Sequence, residues 1–374
     1  MSRPSNNTSI LSFKERLRVA LDWLLLSQKV TKSGGSAAYW SPLLGWGPPY
    51  PETSGYIIPT LLRGYDYFGD DRYLDAANRM TDWLLSLQHN DGWFPGGTLR
   101  PKSERKPSIF NTGQILFGLA ESFARTKDER VGVSAERGLK WLCDQQELDG
   151  RWLKHAYVEG YSPSYYAHVC WPMAVAARAL GDESSLKFVR LGLESVNRDR
   201  NVNNTYSRWA FAPGKSAFTH TIAYTLQGVV ESAIILDDWE GLATPVVNSA
   251  ETLLRKFEIR RHLAGAYNQG WSGNHWYICL TGHCQMASTW MRIYERNGDA
   301  RFLDAAVKLM ETVCKKQKLD GRAARCGAIG GSAPLWGDYM RMRYPNWATK
   351  FFVDAMMELE SNLTALNDGP RVDA

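Results

Sequence analysis

Two distant stretches of the chain are copies of one unit. GDDRYLDAANRMTDWLLSLQHNDG (69–92) and GDARFLDAAVKLMETVCKKQKLDG (298–321) align without a gap and share GD, R, LDAA and Q-x-x-DG at matching places. DERVGVSAERGLKWLCDQQELDG (128–150) keeps the acidic start, the WL and the Q-x-x-DG ending, and GDESSLKFVRLGLESV (181–196) keeps the GD opening. Successive starts lie about 50 to 60 residues apart, which suits a helical hairpin with its loops rather than a short solenoid repeat.

Each copy carries apolar residues at i, i+3, i+4 and i+7 and closes on a turn, so each predicts an amphipathic helix. The set falls near 11–28, 71–88, 128–146, 183–198, 240–258 and 299–317. Between the copies lie segments apolar nearly all round, near 55–68, 110–126, 164–180, 217–236, 276–296 and 345–361. Only a helix covered on both sides is apolar all round, so the second set predicts an inner ring wrapped by the first. Six of each predict an all-α (α/α)6 toroid, a single domain over 1–374 with short flexible ends at about 1–9 and 364–374; an open helical solenoid is the alternative.

The inner helices of such a ring run the same way, so their N-terminal ends meet at one mouth. The sequences before them, such as PPYPETSGY, KPSIFNTGQ, YSPSYYAHVCW and RYPNWATKFF, are rich in aromatic and polar residues, whereas the outer helices start on plain GD turns. Positive helix ends with convergent polar groups make a site for an anionic or hydroxyl-rich ligand. Candidate catalytic groups there are Glu52, Tyr166, His220, Tyr224 and His283. Candidate binding groups are Asn111, Gln114, Tyr165, His168, Gln285, Asp338, Asn346 and Lys350, with Trp46, Tyr50, Trp276 and Trp336 as aromatic surfaces for sugar rings. Blander roles stand beside these: helix capping for Thr53, Asn111 and Asn346, dipole complementation for Glu52, and core packing for the two histidines inside apolar helices.

His275, Cys279 and His283 follow an i, i+4, i+8 spacing of zinc-ligand types. Three ligands strung along about 12 Å of helix do not all reach one ion, so at most two would serve with another helix supplying the rest, and metal-free chemistry without a cofactor is the preferred expectation. The LDDW of 236–239 reads as a turn. RCGAIGGSAPLWGDY (325–339), flexible by its glycines, is the candidate lid.

Fifteen tryptophans beside 17 tyrosines exceed what core packing requires and suit an aromatic cleft. Lysine and arginine are dispersed and the net charge is +5, which argues against a nucleic-acid surface. The N-terminal residues have no apolar core of a signal peptide and no stretch is long and apolar enough for a membrane helix, so a cytoplasmic protein with reduced thiols is expected. The oligomeric state is left open.

The spacing of Gln146, Gly150 and Trp152 resembles the QW repeat of triterpene cyclases and related prenyltransferase toroids, with QHNDGW as a degenerate copy; the acidic catalytic motif of the cyclases is missing. From about Trp46 to Asp354 the motifs PPYPETSGYIIPTLL, DGWFPGG, FNTGQILFGL, THTIAYTLQG, CLTGHCQMA and YPNWATKFF resemble a bacterial family associated with polysaccharide biosynthesis. That resemblance implies a role in making or modifying a surface glycan, with a sugar, oligosaccharide or lipid-linked glycan as partner.

Similar toroids offer chemistry. Uronate lyases and C5-epimerases neutralise a carboxylate with Asn or Gln and move the adjacent proton with Tyr or His. Here Asn111, Gln285 and Asn346 match the neutralisers, His220 or His283 the base, and Tyr166 or Tyr224 the acid. N-acylglucosamine 2-epimerases use paired histidines, although their own sequence pattern is missing. The expectation is therefore an epimerase or lyase acting on a uronate-containing sugar. The alternatives are a glycoside hydrolase using Glu52 and Asp338, and a glycan-binding module without catalysis.

Overall fold

The computed structural model describes residues 7–319 and 321–368. Among them are twelve α-helices. The outer set comprises α1 (Asn7–Lys29), α3 (Asp71–Leu87), α5 (Glu129–Asp144), α7 (Leu186–Arg198), α9 (Thr244–Arg260) and α11 (Ala300–Cys314). The inner set comprises α2 (Pro51–Phe68), α4 (Ile109–Thr126), α6 (Ala167–Leu180), α8 (Thr219–Ile235), α10 (Leu280–Asn297) and α12 (Asn346–Asp368). Each inner helix packs on the next, and α12 returns to α2, so the ring is closed and the open solenoid is set aside. The ends expected to be flexible fall mainly outside the described residues; helices run through 7–9 and 364–368. No helix among the described residues is long and apolar enough to cross a membrane.

The repeated motif explains the outer ring. In the Asp-x-Arg openings, the carboxylates of Asp70, Asp128 and Asp299 cap the backbone N–H groups of Arg72, Arg130 and Arg301 and pair with the same arginines. At the other end, each repeat glutamine is a staple between neighbouring outer helices. Gln88 Nε2 donates to Gly92 O and Ser134 O, both at 2.9 Å, and Gln146 Nε2 to Gly150 O at 3.1 Å and Phe188 O at 3.0 Å. Gln317 does this across the seam, donating to Arg16 O at 3.1 Å and Gly327 O at 3.3 Å. Gln28, outside the sequence repeats, donates to Gly34 O at 2.7 Å and Ala76 O at 2.9 Å.

The glycine of this staple lies against the next helix. At Gly327, φ is +88°, and an added Cβ would overlap the Val19 carbonyl of α1; Gly92 and Gly150 meet Arg137 and Leu191 in the same way. In the last repeat the aligned DG is followed by an insertion, so Gly327 rather than Gly321 takes this role.

Short strands knit the mouth loops. Trp40 on β1 (Tyr39–Ser41) pairs antiparallel with Trp46 on β2 (Gly45–Trp46) and with Tyr344 on β8 (Tyr344–Pro345), so the loop after α1 clasps the loop before α12. Strands β3 (Ala217–Phe218), β4 (Ala266–Tyr267) and β5 (Gly273–Asn274) form a second sheet, and β6 (Ile278–Cys279) pairs with β7 (Ser332–Ala333).

Candidate active site

The mouth of the ring holds a cavity of about 850 Å³. Its walls come from loops and helix starts scattered along the chain: Tyr50 and Glu52 before and on α2, residues 96–111 around the start of α4, 155–159 between α5 and α6, and 338–340 before α12. The lining mixes aromatic rings with polar and charged groups, among them Glu52, Arg100, Glu104, Lys106, Glu159 and Asp338.

Glu52 lies in the first turn of α2, where the helix dipole favours an anion. Burial outweighs it: the side chain is 8% exposed, and desolvation lifts its carboxyl to about 7 although the Tyr50 hydroxyl, donating to Oε2 at 2.5 Å, pulls the other way. Near neutral pH Glu52 is therefore a proton donor. Tyr50→Phe removes the hydrogen bond that restrains that shift. The Glu52 carboxyl should then titrate at higher pH than in the parent, read by carboxyl chemical shifts against pH; an unchanged or lower midpoint would refute the assignment.

His220 occupies the first turn of α8 and is 4% exposed. Its Nδ1 lies 2.7 Å from Gln285 Oε1 on α10, an acceptor, so Nδ1 carries the hydrogen and Nε2 keeps the lone pair. Burial pushes the imidazole down to about 4 despite that bond, so the ring is a neutral base. The Tyr224 ring stands between His220 and His168, its centroid 4.2 Å from each. His168 is held by Gln114 Oε1 at 2.9 Å, and burial depresses its pKa as well.

Of the residues singled out in the sequence, Tyr50, Glu52, Asn111, Tyr165, His220, Tyr224 and Asp338 line the cavity. Asn111 is also structural there, its Nδ2 donating to Pro95 O at 2.9 Å. Gln285, Gln114 and His168 stand behind the wall as the supports just described.

The rest lie elsewhere. His283 is fully buried, with Nδ1 2.9 Å from Cys279 O. Tyr166 accepts the Tyr157 backbone N–H at 3.1 Å and so fixes a wall loop. Asn346 Nδ2 faces Ser36 Oγ, Ala37 O and Thr53 Oγ1 at 2.8–3.0 Å, tying α12 to α2. Lys350 is committed to a buried ion network: its Nζ is 2.6 Å from Asp354, which also pairs with Arg63 at 2.6 Å. Trp46 packs on Trp23, while Trp276 and Trp336 are 48% and 60% exposed outside the cavity.

Two sequence expectations are corrected. α10 begins at Leu280, so His275 and Cys279 are not on a helix with His283; Cys279 caps α10 and His275 faces His262 Nε2 at 3.2 Å. In 325–339 the glycines serve close packing: an added Cβ would come within 2.5 Å of Met340 Cβ at Gly331 and 2.7 Å of Ser332 Cβ at Gly337. This segment is a packed wall of the cavity through Asp338 and Tyr339, with Met340 lining it just beyond.

Sequence reasoning missed Tyr56, Phe110, Tyr157, Phe211, Tyr339 and Trp347. Trp347 follows Asn346 in YPNW, and its Nε1 donates to Tyr339 Oη at 2.8 Å; the aromatic run was the available signal.

A closed ring of six helical hairpins with its cavity at the inner N-terminal ends defines an (α/α)6 toroid. Solved toroids superpose over nearly the whole chain. A cellobiose 2-epimerase from Spirochaeta thermophila DSM 6192 gives a TM-score of 0.73 at 13% identity, covering 96% of this chain and 100% of that one. The unsaturated glucuronyl hydrolase responsible for glycosaminoglycan degradation in Bacillus sp. GL1 gives 0.70 at 14%, covering 94% and 98%, and a D-mannose isomerase 0.73 at 11%, covering 96% and 100%. At such identity the likeness is one of fold. No family model matches the chain. Among curated proteins, 133 residues are 29% identical to an unsaturated 3S-rhamnoglycuronyl hydrolase of Alteromonas sp. (strain LOR), and 124 residues are 32% identical to an ent-copalyl diphosphate synthase of Streptomyces sp. (strain KO-3988). These matches span only 30% and 22% of those relatives.

Proposed function

We propose that this protein is a carbohydrate-active enzyme that moves a proton on a sugar or oligosaccharide in the cavity, as an epimerase or lyase does. One observation carries the reading: an acid held protonated up to about 7, Glu52, and a base held neutral down to about 4, His220, line one aromatic cavity. Environments that push two titratable groups apart in this direction assign the acid and the base. His220 Nε2 takes the proton from the carbon next to a carbonyl or carboxylate, and Glu52 supplies one to the developing oxyanion or to carbon. The aromatic walls stack on the sugar and exclude water. The sugar-processing relatives support this substrate class, and the resemblance of PPYPETSGYIIPTLL and the other motifs to a polysaccharide-biosynthesis family is the ground for proposing a place in producing a surface glycan.

Hydrolysis is the second reading, since Asp338 shares the cavity with Glu52 and both carboxyl groups are required for it. Incubation of candidate glycans in deuterated water separates the two. Deuterium at carbon marks epimerisation, new ultraviolet absorbance marks elimination, and a new reducing end alone marks hydrolysis. His220→Gln is expected to lower turnover by roughly 10²–10⁴-fold; full turnover by this variant would reject the proton-transfer reading. The profile of kcat/KM should be bell-shaped, falling below about 4 as His220 gains a proton and above about 7 as Glu52 loses one. A flat profile across pH 7 would remove Glu52 as the acid.

A further inference from the structure

We infer that a second groove on the mouth face binds the distal part of an oligosaccharide whose reacting unit sits in the main cavity, an inference that rests on the sugar reading above. The groove has a volume of about 580 Å³ and lies between the loop before α10 and the end of α11. It shares a wall with the active-site cavity. Ser332, Ala333, Pro334 and Leu335 line the groove, and Asp338, Tyr339 and Met340, a few residues on, line the cavity. The wall is braced by Ser332 Oγ donating to Tyr339 O at 2.6 Å and by the β6–β7 pairing of Cys279 with Ser332.

The chemistry of the groove fits a saccharide. Trp276, 48% exposed, lines it beside Tyr277, the two ring centroids 5.0 Å apart, and Trp336, next in the chain after the groove-lining Leu335, is 60% exposed. Large indoles left in water in a protein that buries Trp23, Trp152, Trp209 and Trp290 are surfaces for stacking. The groove also contains His262 and His275, joined at 3.2 Å, together with Lys316. His262 Nδ1 faces Arg260 O at 2.9 Å and its Nε2 is taken by His275, so His275 Nε2, as an acceptor, and the Lys316 ammonium, as a donor, are the groups left to meet sugar hydroxyls. An apolar partner segment would leave these polar groups unmatched, so a glycan is the favoured occupant.

Calorimetric titration of the full chain with hyaluronan and cellulose oligosaccharides tests this, comparing disaccharides with octasaccharides. Parent protein is expected to bind the octasaccharide of the accepted series about tenfold tighter than its disaccharide. The double variant Trp276→Ala, Trp336→Ala should lose that advantage and keep the disaccharide affinity; both side chains are exposed, so the fold is not at stake. Equal affinity for both lengths in the parent, or an octasaccharide advantage that survives in the variant, overturns the groove and leaves the cavity reading standing. No binding of either length in either series overturns both.

Discussion

Glu52→Gln should abolish most turnover and at the same time make the protein more stable at pH 8. The carboxyl rises from 4.5 to about 7 on folding, so below pH 4 it is protonated in both states and costs the fold no ionisation energy. As pH rises past the unfolded value, the unfolded chain releases the proton while the folded chain retains it, and stability falls until the folded value is passed. The loss amounts to about 3 kcal/mol at pH 8, at 1.36 kcal/mol per pH unit. Glutamine keeps the size and the Tyr50 hydrogen bond without the charge. Urea unfolding should therefore show parent and variant nearly equal at pH 4 and the variant ahead by about 3 kcal/mol at pH 8, with turnover down roughly 10²–10⁴-fold. A variant less stable at pH 8 would mean that Glu52 is a satisfied structural anion. This is stability given up for a poised acid.

Gly327→Ala should open the seam where the ring closes. The residue is held at φ +88° with the Val19 carbonyl where a Cβ would sit, and Gln317 binds its carbonyl while holding Arg16. Backbone strain and overlap together should cost about 3–5 kcal/mol. Gly69→Ala is the control: φ is +64° there, and nothing lies within 4 Å of an added Cβ, so only the left-handed backbone cost of about 1–2 kcal/mol applies. Denaturant midpoints compare the two, and hydrogen exchange should localise the Gly327 effect to α1 and α11. Equal losses would mean that the glycine staple does not hold the ring together.

The helices were legible because their determinants are local. Asp-x-Arg starts, Gln-x-x-Asp-Gly ends and the contrast between one-sided and all-round apolar segments placed twelve helices and their alternation, with starts off by three or four residues at α1, α2, α6, α7, α9 and α10. At α10 the aromatic and histidine run before Leu280 reads as helical in period, yet Ile278 and Cys279 pair with β7, more than fifty residues on. The mouth, too, was legible as a place: its loops are dense in aromatic and polar residues.

What the sequence determined by itself was therefore the set of helices, their inner or outer rank and the end of the ring that holds the cavity. Only the tertiary structure decided that Glu52 and His220 share a cavity while Asn346 and His283, drawn from equivalent helix starts, serve packing. Successive helical residues point about 100° apart, so direction at a helix start depends on how neighbouring helices and loops press against it. The same holds for charge: the acid and base character of Glu52 and His220 comes from the water that ring closure excludes.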